Sequence, residues 1–317
     1  MGSSRGVLVK VVVTGGAGFI GANLGRHLSS LDEVTEVVAF DNLSTGYATN
    51  LDGLDVRLVE ASILDVDALD AEVDGAAAVV HLAARASVPR SIADPVASHD
   101  ANATGTLNVL EAARRHGGVH VVVASSSSVY GANPELPKRE ELASRPMSPY
   151  AASKLATESY TLAWQHSYDM PTLAFRFFNV FGPLQAAGHA YAAVIPAFVD
   201  AALRGEPLQV HGDGTQSRDF TYVDTVCSVL ADAVRRRVSS PEPVNLAFGT
   251  RTTLLEVIEL IETLLGHAVK VEHTASRVGD VPHSQAANDR LLELFPDVTP
   301  VDLRTGLSAT IDWFRTL

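Results

Sequence analysis

The stretch that most restricts what this chain can fold into is Val11-Val12-Val13-Thr14-Gly15-Gly16-Ala17-Gly18-Phe19-Ile20-Gly21. A β-branched run leads straight into glycines at every third position, Gly15, Gly18 and Gly21, and Ile20, Leu24 and Leu28 then recur on one helical face. The stretch therefore reads as strand, tight turn, helix. Such a turn lets main chain approach a dinucleotide pyrophosphate, and the N–H groups and positive dipole end of the next helix complement its charge. Gly15, Gly18, Phe19 and Ile20 are the candidate contacts. Glycine triplets also occur in ordinary turns, but here the next strand, Val34 to Phe40, ends in Asp41, about 20 residues beyond the glycines. A carboxylate there accepts from both ribose hydroxyls and repels a 2′-phosphate, which selects NAD over NADP; as a plain turn residue before Asn42 it would do neither.

The rest of the first half repeats the alternation. The polar loop Asn42, Ser44, Thr45 and Gly46 is suited to wrapping an adenosine, and Ser62 and Ile63, after a strand at Val56 to Val59, are placed to flank the adenine. Ala76 to His81 reads as a buried strand that stops at Leu82-Ala83-Ala84, where small residues let a flat cofactor lie against backbone. Val96 to His116 has helical periodicity and carries Asn102, an amide placed to face the cofactor. Val119 to Ala124 runs into the serines Ser125 to Ser128 and then Val129-Tyr130-Gly131. Strands alternating with helices predict an α/β fold with a Rossmann-like, doubly wound parallel sheet. From about Phe178, breaks such as Gly182-Pro183 and Gly212-Asp213-Gly214 predict a smaller C-terminal α/β lobe. The expected division is 1–178 for the dinucleotide domain and 179–317 for the substrate lobe, with Val244 to Phe248 returning a strand to the first.

Composition narrows the partners. A chain of 317 residues with 46% apolar content has ample core, and a net charge of -13 opposes nucleic acid and anionic membranes as partners. The single cysteine, Cys227, rules out a disulfide framework, and no metal site is expected. No stretch is long enough for a membrane span, Met1 to Gly6 reads as a flexible leader, and a cytoplasmic protein is expected.

The chemistry is carried by Tyr150-Ala151-Ala152-Ser153-Lys154, which places a phenol and an ammonium one helical turn apart. A lysine cation, with a positive nicotinamide nearby, favours phenolate and is expected to lower the Tyr150 pKa toward neutrality, making it a general base for a sugar hydroxyl. Surface helices carry the same spacing. It gains meaning from the glycine turn, Asp41 and the serine run upstream, which supplies a hydroxyl to share the substrate's hydrogen bond.

Taken together, these motifs resemble the extended short-chain dehydrogenase/reductases, and within them the nucleotide-sugar 4-epimerases of the UDP-glucose/UDP-N-acetylglucosamine group. The matches run from Thr14–Gly21 through Asp41–Gly46, Ser128–Gly131, Ser148–Lys154, Arg176–Pro183 and Gly212–Asp219 to the segment beginning Arg277-Val278-Gly279-Asp280. The resemblance implies tightly bound NAD and a UDP-sugar inverted at C4 through a 4-keto intermediate. It implies Tyr150 as base, Lys154 as its partner on the nicotinamide ribose, and Ser126 touching the sugar 4-hydroxyl. It further implies Asn179, Arg218 and Arg277 on the diphosphate and Asp280 on the uridine ribose. Arg85, Ser87, Ser127, Ala193, Val194, Gln209, His211 and Ser284 complete the implied substrate contacts. Two guanidinium forks suit a diphosphate better than lysines would, although either arginine read alone also fits a surface ion pair. Relatives dimerise through the helices around 96–116 and 150–166, so a homodimer is implied.

Dehydratases and decarboxylases of the same family place an acid just before Val-Tyr-Gly; here Ser127 and Ser128 stand there, which disfavours those reactions. Ser284 is small where galactose-only relatives have tyrosine, leaving room for an acetamido group. Uronate epimerases often carry arginine after Gly-Pro, where this chain has Leu184; Arg85, Arg90 or His189 remain as possible carboxylate partners. UDP-N-acetylglucosamine or UDP-glucose ranks ahead of UDP-glucuronate. An NAD-binding module without turnover would have no use for Tyr150 and Lys154.

Overall fold

The structure, a computed structural model, describes residues 8–187, 192–275 and 282–317. The Met1–Gly6 leader, His189, Arg277 and Asp280 lie outside the described residues. In chain order the elements are β1 (Leu8–Thr14), α1 (Phe19–Ser29), β2 (Val34–Asp41), β3 (Arg57–Glu60), α2 (Val66–Val73), β4 (Ala78–His81), α3 (Val88–Ala93), α4 (Pro95–His99), α5 (Gly105–Arg115), β5 (His120–Ser126), α6 (Pro149–Tyr168) and β6 (Thr172–Phe177). The second half adds β7 (Asn179–Phe181), α7 (Val194–Arg204), β8 (Leu208–His211), β9 (Ser217–Arg218), β10 (Phe220–Tyr222), α8 (Val223–Arg236), β11 (Val244–Leu246), β12 (Thr252–Thr253), α9 (Leu254–Leu265), β13 (Val271–Thr274), α10 (Asp289–Leu294) and α11 (Leu303–Phe314).

Two compact units interleave along the chain: Met1–Val129, Pro146–Arg176 and Cys227–Val244 form the first, and Tyr130–Arg145, Phe177–Val226 and Asn245–Leu317 the second. A single cut after 178 therefore lies close to one crossing of the chain and misses the others, because the segments 130–145 and 227–244 pack with the half opposite to their place in sequence.

The main sheet is seven-stranded, ordered β11-β6-β5-β4-β1-β2-β3. Strands β1 and β2, β1 and β4, β2 and β3, and β4 and β5 all pair in parallel. Parallel strands covered on both faces need continuous apolar runs, and Val11, Val12, Val79, Val121 and Val122 are fully buried. The order reverses between β1 and β4, so a crevice opens beyond their carboxyl ends at Thr14–Gly15 and His81–Ala84. The expected helix over 96–116 is present but not uniform. A π-helical turn at Asp100–Thr104 joins α4 to α5, an irregularity that often marks a functional position.

In the second unit β7 pairs with β10 and β8 with β13 in parallel, while β9 and β12 are antiparallel. Its own core gathers Phe181, Ile195, Phe198, Val257, Ile261, Leu307 and Ile311, contributed mostly by α7, α9 and α11. No helix among the described residues is long and apolar enough to cross a membrane, and none of their His, Cys, Asp or Glu side chains cluster into a group that could hold a metal.

Candidate active site

The glycine turn is shaped by contacts that no side chain could accept. Gly15 has φ +70°, and a Cβ there would stand 2.7 Å from the Ala83 nitrogen. A Cβ on Gly21 would overlap the Gly15 carbonyl oxygen. Gly18 caps α1 without a side chain, and no acid stands in the first turn. The opening N–H groups and the positive end of the dipole therefore face the crevice with no anionic side chain of their own turn to meet. That is a cradle for an anionic group on main chain alone.

Asp41, 8% exposed at the end of β2, accepts from Ala17 N at 3.0 Å through Oδ2 and from Leu43 N at 2.8 Å through Oδ1. Each carboxylate oxygen keeps a lone pair for a further donor. The Ala17 carbonyl in turn accepts from Tyr47 N (3.1 Å) and Asn50 Nδ2 (2.9 Å), folding the loop of Asn42, Ser44, Thr45 and Gly46 back against the glycine turn. Asn50 escaped the sequence reading because its partner is main chain. Ser62 Oγ accepts from Leu64 N at 3.2 Å. The Ile63 side chain is part of the core cluster, so only main chain remains at that position for an adenine.

Asn102, expected to face the cofactor, has protein partners at both ends of its amide. It is 1% exposed, its Oδ1 accepts from Arg85 N (2.8 Å) and its Nδ2 donates to Ser153 Oγ (2.8 Å). The amide fixes the loop after β4 to helix α6.

A second buried network, legible only in three dimensions, lies behind it. Thr106 Oγ1 donates to Asn102 O at 2.5 Å, so it can only accept from His81 Nε2 at 3.1 Å. His81 is thereby fixed as the Nε2–H tautomer, and its Nδ1 accepts from Thr14 Oγ1 at 2.7 Å. Thr14 Oγ1 itself accepts from Ala83 N at 3.3 Å. Burial, and then the Lys154 charge, hold the His81 pKa down to about 3. A neutral imidazole thus links the ends of β1 and β4 to Thr106 in the first turn of α5.

Helix α6 starts at the cap Ser148, whose Oγ accepts from Ala151 N, followed by Pro149. This sets Tyr150 in the first turn and Lys154 one turn later. The half-buried Tyr150 phenol bonds to the Ser126 hydroxyl, and Ser126 Oγ also accepts from Ser128 N at 3.2 Å. Lys154 is 4% exposed, donates to Ala124 O at 2.8 Å, and has its pKa lowered to about 8 by burial, so it stays mainly protonated at neutral pH. The expected lowering of the Tyr150 pKa is not met by the protein alone. Burial pushes the phenol upward and only the Ser126 bond pulls it back; the Lys154 ammonium is directed at a carbonyl. Depression of that pKa would have to come from a cationic group bound beside it.

Two other expected substrate contacts in the first unit, Arg85 and Ser87, already have partners. Arg85 pairs with Asp94 at 3.2 Å, Ser87 caps α3, and Ser127 lies in the half-buried turn after β5. In the second unit, Asn179 donates through Nδ2 to Asp219 O at 3.2 Å. The Arg218 guanidinium donates to the Ser217 and Pro282 carbonyls at 2.9 and 3.2 Å. Gln209 donates to Glu272 at 2.6 Å across the β8–β13 pair, and His211 bonds Thr274 at 2.7 Å. Ala193 is the exposed cap of α7, Val194 packs on the core of this unit, and Ser284, half-buried, donates its N–H to Ser217 O.

Comparison with known proteins agrees with this geometry. The profile of the NAD dependent epimerase/dehydratase family matches residues 11–247. The chain is 33% identical to a probable UDP-glucuronate 4-epimerase of Rhizobium meliloti over 96% of its own length and 97% of the relative's. It superposes with TM-score 0.91 and 35% identity on the UDP-N-acetylglucosamine 4-epimerase of Methanobrevibacter ruminantium in complex with UDP-N-acetylmuramic acid, covering 97% and 98% of the two chains. It superposes with TM-score 0.86 and 34% identity on the UDP-glucose 4-epimerase of Thermus thermophilus in complex with NAD, covering 96% and 99%. With the Gly15–Gly21 cradle, Asp41 and the Tyr150–Lys154 pair in place, the chain belongs to the NAD-dependent epimerase/dehydratase family.

Proposed function

We propose that this protein is a UDP-sugar 4-epimerase that works with tightly bound NAD. The observation that carries the reading is the Tyr150 phenol bonded to the Ser126 hydroxyl one helical turn from the buried Lys154, with hydroxyls and no carboxyl at 127 and 128. The glycine cradle, the uncapped start of α1 and Asp41 fit a dinucleotide. NAD, when bound, supplies a reversible acceptor for the C4 hydride. Tyr150 takes the proton of the sugar 4-hydroxyl and later returns it to the 4-keto sugar, while Ser126 shares the hydrogen bond at that oxygen. Lys154 holds positive charge beside the phenol throughout. Asn179 and Arg218, together with Arg277 and Asp280, are the proposed ligands of the UDP group, which stays held while the sugar turns.

Within this class UDP-N-acetylglucosamine or UDP-glucose is favoured. Leu184 offers no cation after Gly-Pro, and Ser284 leaves room at the sugar. The second reading, UDP-glucuronate, has a relative of that name in its favour, but Arg85, a candidate partner for the carboxylate, already has Asp94 as counter-ion. Ile92 and Val96, exposed by 65% and 67%, with Tyr160 and Tyr168 on α6, support self-association through these helices as a homodimer. Cys227, buried and in no disulfide, suits the cytoplasm.

The test is to offer UDP-N-acetylglucosamine, UDP-glucose and UDP-glucuronate separately to the purified protein and follow each by proton NMR without added reductant. A C4 epimer of one of the first two, formed fastest, is expected, and Tyr150→Phe should abolish most of it. A 4-keto or pentose product in its place would make the protein a dehydratase or decarboxylase. No change even with added NAD would remove the UDP-sugar assignment.

A further inference from the structure

The strand end that carries Ser126 is joined to α6 at three successive residues. Tyr150 bonds Ser126, and Lys154 Nζ donates to Ala124 O at 2.8 Å. Between them, the Ser125 hydroxyl donates to Glu158 Oε2 at 2.9 Å and stands 3.4 Å from Lys154 O. Tyr150, Lys154 and Glu158 are four residues apart in turn, so they form one stripe on the helix. Glu158 is gripped on its other side by Arg176 of β6, with Nε 2.9 Å from Oε2 and a terminal nitrogen 2.6 Å from Oε1. Ser125, Glu158 and Arg176 are each at most 4% exposed.

A buried ion pair is a weak source of stability, because desolvation of two charges offsets their attraction and apolar residues of similar volume often serve as well or better. Apolar residues could not, however, accept the Ser125 proton. We propose that the Glu158–Arg176 ion pair is a positioning element of the reaction centre, holding Ser125 and, through it, the strand end that bears Ser126 in register with Tyr150. None of the three residues belongs to the proposed catalytic or ligand-binding set. The inference rests on the epimerase reading for its kinetic consequence, and on geometry alone for its effect on Tyr150.

Ser125→Ala tests it, because that change removes the connecting hydroxyl and leaves the ion pair whole. The expected result is a kcat lowered about 10- to 100-fold, the scale of a misplaced reacting group, with KM within about twofold of wild type. Phenol ionisation at Tyr150, read by ultraviolet titration as the difference between each protein and its Tyr150→Phe counterpart, should move to higher pH as the Ser126 bond is lost. A folded Ser125→Ala protein with wild-type kcat and an unmoved titration would overturn the proposal and leave the pair as a fastener between helix and sheet. If the wild-type protein epimerises no UDP-sugar, the epimerase reading fails by itself, and the titration still decides the positioning role.

Discussion

Asn102 donates to Ser153 Oγ across 2.8 Å, joining the π turn after α4 to the helix that carries Tyr150 and Lys154. The Ser153 hydroxyl in turn donates to Tyr150 O at 2.8 Å. The other end of the same amide holds Arg85 N. One side chain thus fixes the loop beyond β4 and the start of α6 together.

Asn102→Ala would leave the Arg85 amide without its acceptor and Ser153 without a donor at a buried site. We expect a loss of about 2–4 kcal/mol, read as a lower urea midpoint or Tm. A variant as stable as wild type would mean that both groups find replacement partners.

Two buried histidines give stability a defined pH dependence. His81 is held down to about 3 by burial and the Lys154 charge, and His120 to about 4 by burial, its Nε2 donating to Val238 O at 2.9 Å. In both, the folded pKa lies below the unfolded value near 6.5, so the unfolded chain binds protons first as pH falls. Their contribution is complete above about pH 6.5 and is lost progressively toward pH 4 and 3. Asp219, whose carboxyl is pushed up by burial, works in the opposite direction. Urea unfolding at pH 7.5 and 5.0 should differ by on the order of 2–4 kcal/mol, about 1.4 kcal/mol per histidine per pH unit; a flat profile would contradict the assignment of neutral, buried imidazoles.

Asp41 makes a prediction about the cofactor. Asp41→Ala removes the acceptor of Ala17 N and Leu43 N as well as the charge proposed to meet the cofactor ribose. Titration of NAD-free protein with NAD by calorimetry should show affinity reduced about 10- to 100-fold, the worth of a charged hydrogen bond or two. Unchanged affinity would move the adenosine elsewhere.

The parts of this site that were legible in the sequence are those fixed by local rules. The β-branched run, the glycine spacing and Asp41 marked the first strand–turn–helix because each depends on its immediate neighbours, and the four-residue spacing did the same for Tyr150 and Lys154. The π turn was not legible, since Asp100–Thr104 carries nothing that distinguishes it from ordinary helix. The duty of Asn102 was hidden because its partners, Arg85 and Ser153, are distant in sequence. The expected lowering of the Tyr150 pKa is not supplied by the protein alone, because burial penalises the phenolate and the Lys154 ammonium is aimed at Ala124 O.

The measurement that tests the central claim most directly uses UDP-glucose or UDP-N-acetylglucosamine deuterated at C4, followed by NMR to equilibrium. If Tyr150 takes only the hydroxyl proton while the C4 hydrogen leaves and returns as hydride, the deuterium stays at C4 in both epimers, and Tyr150→Phe stops the interconversion. Loss of deuterium to solvent during epimerisation would show that a base removes the C4 proton itself, and the role assigned to the Tyr150–Ser126 pair would be wrong.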